Sequence, residues 1–315
     1  MADSLIRTDG ELLGSFDQKL QVIRDRVRGV AEGYHTAAYL TGRPGTSKTY
    51  TVKEELEQMT APSVMRNARM TPMGLFEFLY EHPEHVVVLD DIATLFKDRA
   101  ALQILMAALD GDPMKPRKVN YKSKDKDLEF HFSGGIVAIS NLPLANDPLA
   151  NAVSSRVVLL EHEPTDEELA AFMRKLAHDG YKDLSVEQCQ EVVAFVVEET
   201  RTCDRRLDLR HLTKAYEDRR QWEDGLSETP WQELVRTWPE EAADTGHSDE
   251  ERRDRPTAEA RGRSDGSLSV RRERADQVHR HEEVHVLQQE EGTTPRRMRP
   301  PLEIWNSRFP FRCRL

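Results

Sequence analysis

Residues 42–49 read GRPGTSKT and lie between a strand predicted at 37–40 and a helix predicted at 48–59. A glycine-rich turn in this position presents backbone N–H groups at a helix N-terminus, where proteins bind phosphate. The spacing matches G-x-x-x-x-G-K-[ST], with Ser47 in place of the last glycine. This segment, called the P-loop below, therefore predicts a nucleotide-binding α/β domain.

Each residue type in the P-loop suits one part of a nucleotide site. Gly42 and Gly45 allow the backbone to turn tightly, Lys48 would reach the β- and γ-phosphates, and Thr49 would hold Mg²⁺. The alternative is a glycine- and proline-rich turn with an accidental lysine. The predicted ATP-binding residues are Gly42, Pro44, Gly45, Thr46, Ser47, Lys48 and Thr49.

Two carboxylates follow a continuous apolar strand at 85–89, where residues 85–91 read HVVVLDD. A strand of this kind is buried on both faces of a parallel sheet, and it carries its last residues to the ligand-binding edge. Asp90 would then bind Mg²⁺, and Asp91 would polarise the attacking water. The alternative is that the two acids cap the next helix, predicted at 98–109.

Three more polar residues follow in order. Asn141 comes after a strand predicted at 135–139, so its amide could position the attacking water. Arg156 precedes a fifth strand, at 157–160, and Arg210 lies in a later helix. Taken singly, each has an ordinary explanation, because asparagine commonly ends a strand and arginine is common on surfaces.

Strands and helices alternate up to Pro164, and only helices are predicted after it. The fold class is therefore α/β: a five-stranded parallel P-loop sheet flanked by helices, followed by a small all-α lid domain and a disordered C-terminal tail. The remaining predicted elements are helices at 16–32, from Thr71-Pro72 onward, 165–178, 185–200, 208–223 and 228–237, and a strand at 63–67. The predicted domains are 1–162, 163–240 and 241–315.

Composition limits the classes of function. The 315 residues carry 45 basic and 56 acidic side chains, a net charge of −11, so the chain is not a bulk nucleic-acid coat. No apolar run could span a membrane, and the N-terminus lacks the apolar core of a secretory signal. Three cysteines form neither a disulfide framework nor a metal-ligand pattern. These features predict a cytoplasmic protein with no membrane partner.

The tail differs from the rest of the chain. Residues 241–315 contain 15 arginines, no lysine and 15 acidic residues, with few apolar side chains. Such a segment buries too little surface to order itself. An arm for nucleic acid or an acidic partner, and a solvated linker, are both open, and the equal acid content favours the linker.

These features, in this order along residues 15–225, resemble those of an AAA+ ATPase. The resemblance implies that Asn141 is the sensor 1 residue, that Arg210 is the sensor 2 residue of the lid, and that Arg156 is an arginine finger. With Asp91, these are the predicted catalytic residues. A finger acts in the ATP site of a neighbouring subunit, so the resemblance also implies a homo-oligomeric ring, usually a hexamer, with ATP and Mg²⁺ as ligands.

Two residues depart from the family pattern. Asp91 stands where the family usually has glutamate, which is one methylene longer, so the chain would hold the attacking water less closely and turn over slowly. Ser47 replaces the usual glycine. Arg205 and Arg206 compete with Arg210 for the lid role, which Arg210 fits better within the pattern Leu-x-Leu-Arg-x-Leu.

Residues 115–132 predict a β-hairpin with a basic first strand and tip. Lysines with an interleaved aromatic residue suit contact with phosphates and stacking on bases. The location resembles the pre-sensor-1 hairpin of an AAA+ branch that includes the superfamily 3 helicases, which implies DNA remodelling as a helicase or loader. Lysines guarding edge strands are the alternative. The predicted DNA contacts are Lys118, Tyr121, Lys122, Lys124 and Lys126.

A protein-remodelling chaperone and a slow ATP-dependent assembly switch are the alternatives to a DNA motor. Rings that thread proteins usually grip them with an aromatic loop after the second strand, and residues 67–74, NARMTPMG, contain no aromatic residue. The short Asp91 fits a slow switch. A protein partner of unknown identity therefore stays open.

Overall fold

A computed structural model describes residues 7–67, 69–91, 95–122, 127–144 and 147–238 of the chain. The strands in these ranges are β1 (Ala37–Thr41), β2 (Ser63–Arg66), β3 (Val86–Asp90), β4 (Arg117–Lys122), β5 (Asp127–Phe132), β6 (Ile136–Ser140) and β7 (Val158–Glu161). The α-helices are α1 (Asp9–Ala31), α2 (Lys48–Glu57), α3 (Pro72–Glu81), α4 (Arg99–Leu109), α5 (Pro148–Ser154), α6 (Asp166–Asp179), α7 (Val186–Thr202), α8 (Leu209–Glu223) and α9 (Trp231–Arg236).

Five strands form one parallel sheet in the order β2-β3-β6-β1-β7. Every residue of β3 and of β6 is buried, as expected for strands covered on both faces. The predicted fold class, a five-stranded parallel sheet flanked by helices, is confirmed. The predicted hairpin also forms, because β4 and β5 pair antiparallel outside this sheet.

The two faces of the sheet pack against different helices because side chains alternate along each strand. On one face, Ala38 and Leu40 of β1 join a core with α1, α2 and the four helices α6 to α9. On the other face, Ala37 and Tyr39 join a second core with α3, α4, α5 and the hairpin. The sheet is therefore the middle layer, and its carboxyl edge is left for the segments that follow the strands.

Two differences from the predicted helices have local causes. Helix α1 begins at Asp9 rather than at residue 16, because Thr8 and Glu11 form a capping box ahead of the apolar pattern. Helix α5 lies outside the predicted helices, although Asp147 caps it and a proline occupies its first turn. The same signal correctly predicts the start of α3 at Thr71-Pro72.

The described residues group into one compact unit, in which the α/β part and helices α6 to α9 pack together. The boundary between residues 162 and 163 stays a prediction inside this unit. The predicted tail, 241–315, lies outside the described residues. Within the ranges given above, no helix has both the length and the apolar composition needed to cross a bilayer.

Glu168 joins α6 to α1 and is only 1% exposed. Its carboxylate accepts hydrogen bonds from Ser15 Oγ at 2.6 Å, Lys19 Nζ at 2.6 Å and the Thr165 backbone N–H at 2.8 Å. Burial raises the pKa of Glu168, but these hydrogen bonds together outweigh it and leave the pKa below its ordinary value. The charged form therefore stabilises the packing of α1 on α6.

We expect Glu168→Gln to lower the free energy of unfolding at pH 7 by about 2–3 kcal/mol, because a charged acceptor of three hydrogen bonds is lost. A lowered pKa means that this contribution is present above the ordinary pKa of glutamate and is lost as the pH falls through the native value. Urea unfolding at several pH values measures both effects.

Asp17→Asn is the control for this prediction. Asp17 also joins α1 to α6, but it contacts Lys175 at 3.8 Å and is half exposed. Its replacement should change the stability by less than about 0.5 kcal/mol. Equal stability losses in the two variants would contradict the role given to Glu168.

Candidate functional site

The P-loop connects β1 to α2 at the carboxyl edge of the sheet, and its backbone needs glycine at two positions. Gly42 has a φ of 143°, and a Cβ there would lie 2.1 Å from the carbonyl oxygen of His162. Gly45 has a φ of 65°, and a Cβ there would lie 1.6 Å from Oδ1 of Asp208. Ser47 also adopts a left-handed conformation, with a φ of 74°, so it stands at a position where glycine is preferred.

The rest of the loop is held by internal and neighbouring hydrogen bonds. The hydroxyl of Thr46 donates to the carbonyl of Arg43, three residues earlier in the chain, at 3.0 Å. Nε2 of His162 donates to the Thr46 carbonyl at 2.9 Å. Burial lowers the pKa of His162, and the Thr46 contact only partly opposes this. A neutral, buried imidazole therefore supports the loop from the end of β7.

Lys48 opens α2 and is 5% exposed. Its Nζ donates to the carbonyls of Gly42 and Arg43, each at 2.5 Å, and to Oδ1 of Asn141 at 3.3 Å. Burial lowers the pKa of Lys48 to about 8; the charge of Glu163 opposes this shift and that of Arg210 adds to it. The hydrogen-bond acceptors of the ammonium are thus all neutral. An anionic acceptor would form stronger hydrogen bonds with it.

Thr49 and Asp90, the two predicted metal ligands, are in contact. The hydroxyl of Thr49 donates to Asp90 Oδ1 at 3.1 Å, and Nδ2 of Asn67 donates to Asp90 Oδ2 at 3.2 Å. Burial raises the pKa of Asp90, and these two hydrogen bonds oppose the rise. A hydroxyl and a carboxylate oxygen side by side at the end of a buried strand fit the hard oxygen ligands that Mg²⁺ prefers.

Asn141 joins Lys48 to Asp91. It follows β6, accepts from Lys48 through Oδ1, and donates through Nδ2 to Asp91 Oδ1 at 3.4 Å. Asp91 is exposed and has a φ of 53°, while its backbone N–H continues the sheet by donating to the Ile139 carbonyl at 2.9 Å. The exposed Asp91 carboxylate is therefore linked to Lys48 through Asn141, and it can contact a water molecule.

Asn67 is a site residue that sequence reasoning missed. It follows β2 just as Asp90 ends β3 and Asn141 follows β6, so its place after a strand was the available signal. Because the strands are parallel and adjacent, their ends meet at one edge. Asn67 fixes the rotamer of Asp90 from the side opposite Thr49.

The start of α8 lies on the P-loop and carries Arg210 to the site. The backbone N–H of Leu209 donates to the Gly45 carbonyl at 2.9 Å. Asp208, 4% exposed, caps α8 and accepts from the Arg210 backbone N–H at 2.6 Å. Arg206 instead pairs with Asp166 at 3.0 Å.

Arg156 is not brought to this site. It precedes β7 at the amino edge of the sheet, where its carbonyl accepts from the hydroxyl of Thr36, the residue before β1, at 3.1 Å. Its Nε donates to Asp110 Oδ1 at 3.1 Å and its Nη1 to the Ala152 carbonyl at 2.7 Å. The length of β1, about 3.3 Å per residue, separates it from the P-loop of its own chain.

The hairpin carries less free positive charge than the sequence suggests. Lys122 pairs at 2.8 Å with Asp127, the residue directly opposite it on β5. Lys118 pairs at 2.7 Å with Glu129, which lies diagonally across the hairpin because the residue opposite Glu129 is Asn120. The half-buried Tyr121 packs against Phe76, with ring centroids 5.6 Å apart. The other two predicted DNA contacts, Lys124 and Lys126, lie outside the described residues.

Comparisons with known proteins add little to this geometry. No protein-family model matches the sequence, and no curated protein matches it. Among solved structures, the fold is similar to the crystal structure of domain III from the Thermotoga maritima replication initiation protein DnaA. The TM-score is 0.41 and the identity 13%, over 70% of this chain and 89% of that one. A likeness at this level does not define a function.

Proposed function

We propose that the chain is an ATPase of the AAA+ type that binds ATP with Mg²⁺ at the carboxyl edge of its sheet. One observation carries the proposal: Lys48, Asn141 and Asp91 form a hydrogen-bonded chain beside the contact of Thr49 with Asp90. These five residues come from the start of α2 and from the ends of β3 and β6. Their convergence supplies an ammonium for phosphate, a pair of metal ligands and a carboxylate for water in one place.

Each residue has a distinct task in hydrolysis. The P-loop N–H groups and Lys48 bind the phosphates, and Lys48 exchanges its carbonyl partners for phosphate oxygens. Thr49 and Asp90 would hold Mg²⁺, which supplies charge to the phosphate oxygens. Asp91 orients the attacking water, and Asn141 keeps the Asp91 carboxylate beside the γ-phosphate position. Arg210, held at the start of α8, adds positive charge from the helical part.

We expect Asp91→Asn to lower kcat for ATP hydrolysis by about 100-fold or more, because the water loses its acceptor, while the Kd for ATP changes little. Phosphate release and calorimetric binding measure the two quantities. Asp112→Asn, at an exposed acid in the loop after α4, is the control and should turn over normally. A wild-type rate for Asp91→Asn would remove Asp91 from the mechanism. Tight ATP binding without turnover by the wild type would favour the slow assembly switch.

We also propose that the chain works as a homo-oligomeric ring, of six subunits by the family resemblance. The support is the position of Arg156 at the amino edge, beyond reach of its own P-loop. An arginine so placed can meet an ATP site only if the site belongs to a neighbouring subunit. The site of one chain would then be incomplete without a second copy.

For the substrate of the ring we propose DNA, remodelled by a helicase or loader activity. The hairpin supports this proposal through the exposed Lys118 and Lys122, although each also has an acidic neighbour. A phosphate backbone would compete with Glu129 and Asp127 for these lysines.

We expect single-stranded DNA to raise the steady-state rate of ATP hydrolysis by the full chain at 50 mM salt and to do so less at 200 mM, since phosphate contacts weaken with salt. Lys118→Glu should remove the stimulation, whereas Lys53→Glu, on α2, should keep it. Hydrolysis that ignores DNA at both salt concentrations would contradict the DNA proposal and favour a protein-remodelling ATPase.

A further inference from the structure

Asp166, the first residue of α6, contacts both the P-loop and the segment that leads into α8. Its Oδ1 accepts from Arg43 Nη2 at 2.7 Å and from the backbone N–H of Leu207 at 3.2 Å. Its Oδ2 pairs with Nε of Arg206 at 3.0 Å. One carboxylate therefore joins two parts of the chain that are far apart in sequence.

On the P-loop side, Asp166 holds the guanidinium of Arg43 in place. The Arg43 side chain is 14% exposed, and among the described residues Asp166 is the one carboxylate that pairs with its guanidinium. Arg43 Nη2 also donates to the Pro164 carbonyl at 3.1 Å. The carbonyl of Arg43 accepts from Lys48, so the position of this arginine also sets where the P-loop lysine rests.

Two more donors of Arg43, Nε and Nη1, are buried and have no partner in the ranges that the structure describes. Buried guanidinium N–H groups without acceptors are costly, and a phosphate oxygen would satisfy them. Arg43 is itself a P-loop residue, so an anion bound in this loop would compete with Asp166 for the guanidinium once the side chain moves.

On the other side, Asp166 positions the segment that precedes Arg210. Leu207 is held by Asp166, and Leu209 is held by the Gly45 carbonyl at 2.9 Å. The intervening Asp208 caps the helix by accepting from the Arg210 backbone N–H. Two fixed points, one on each side of Asp208, thus set the position from which the Arg210 side chain extends.

We propose that Asp166 is a positioning residue that couples the P-loop to Arg210 by holding Arg43 and Leu207 at the same time. The coupling rests on the proposed ATPase function, because it matters for turnover only if phosphates occupy the loop. A carboxylate suits this task because its oxygens accept from several donors at once. If phosphate takes Arg43 from Asp166, the carboxylate loses one of the contacts that fix its position. The Oδ1 atom to which the Leu207 N–H donates is then less firmly positioned.

The kinetic test compares Asp166→Ala with Asp17→Ala, a control that removes a different ion pair of α6, the one between Asp17 and Lys175. We expect Asp166→Ala to lower kcat about tenfold with little change in the Kd for ATP, and Asp17→Ala to change neither. In an Arg210→Ala background, Asp166→Ala should lower kcat no further, because both act on one element. Independent, multiplying effects of the two substitutions would overturn the proposal.

A second readout does not require ATP hydrolysis. In the nucleotide-free full chain, amide hydrogen exchange of residues 207–210 should be faster in Asp166→Ala, and unchanged in Asp17→Ala. Arg43→Gln should also speed exchange at 207–210, although no hydrogen bond joins Arg43 directly to that described segment. Unchanged exchange in both variants would overturn the coupling. A wild-type chain that neither binds nor hydrolyses ATP would instead overturn the proposed function. The hydrogen-exchange measurement would still test the coupling, because it is made without nucleotide.

Discussion

Lys48→Ala is expected to raise the Kd for ATP with Mg²⁺ by at least about 100-fold, since charge-assisted hydrogen bonds to phosphate are lost. In the free chain Nζ donates hydrogen bonds to two carbonyls and to the Asn141 amide oxygen, all neutral acceptors. Triphosphate would give this buried ammonium an anionic hydrogen-bond acceptor. Isothermal calorimetry on the full chain measures the loss.

The substitution should leave the fold intact. Burial lowers the pKa of Lys48 to about 8, which shows that the native environment disfavours its charged form. Removing the ammonium therefore removes an unfavourable burial along with its hydrogen bonds, and thermal unfolding should change little. Lys53→Ala is the matched control, because Lys53 is on the same helix, half exposed, 3.8 Å from Glu57. ATP affinity that is equal in the two variants would exclude the P-loop as the ATP site.

Arg156→Ala should lower kcat for ATP hydrolysis by about 1,000-fold or more, the range measured for arginine fingers, while the Kd for ATP stays near that of the wild type. The physical reason is position. Arg156 lies at the amino edge of the sheet, so it contributes nothing to phosphate binding in its own chain. In the proposed ring, it would contribute to the transition state in the ATP site of a neighbouring subunit.

Mixing two inactive variants tests whether Arg156 acts between subunits. Arg156→Ala chains keep an intact P-loop, and Lys48→Ala chains keep an intact arginine. A mixture should hydrolyse ATP faster than either variant alone, because some intact sites then receive an intact finger. Absence of any recovery in mixed assemblies would contradict action in trans.

A substitution of Asp110, the ion-pair partner of Arg156, distinguishes a structural role of this arginine from a role in catalysis. Asp110→Asn removes the charge that Arg156 Nε contacts at 3.1 Å but keeps the guanidinium. Asp110 is largely exposed, so the pair should add less than about 1 kcal/mol to stability, and turnover should remain close to normal. Loss of turnover in Asp110→Asn equal to that in Arg156→Ala would point to the ion pair instead.

Sequence patterns were sufficient for the residues at strand ends. Asp90 ends an apolar strand, Asn141 follows one, and Lys48 opens the helix after the P-loop that follows β1; parallel pairing of the three strands brings these positions to one edge. Arg156 could be assigned a role only through the family resemblance, since no local pattern distinguishes it from a surface arginine. The structure then placed it far from its own P-loop, which a finger acting in trans requires.

Residues whose role depends on docking were not predictable. Asp166 reads locally as an acid in the first turn of a helix, and Asp208 as an ordinary cap. Their contacts with the P-loop arise only when α6 and α8 pack against the sheet. The pairing of Lys118 with Glu129 similarly depends on the register of the hairpin, which composition does not reveal.

Strand β3 contributes side chains to both hydrophobic cores and also ends in the site residue Asp90. Val86 and Val88 face one core and Val87 and Leu89 the other, and the same register ends with Asp90 opposite Ile139. Inserting or deleting one residue within β3 would exchange the inward faces and displace the carboxylate by about 3.3 Å. We therefore expect β3 to tolerate only substitutions of similar volume, and insertions or deletions to be tolerated in the loops between strands.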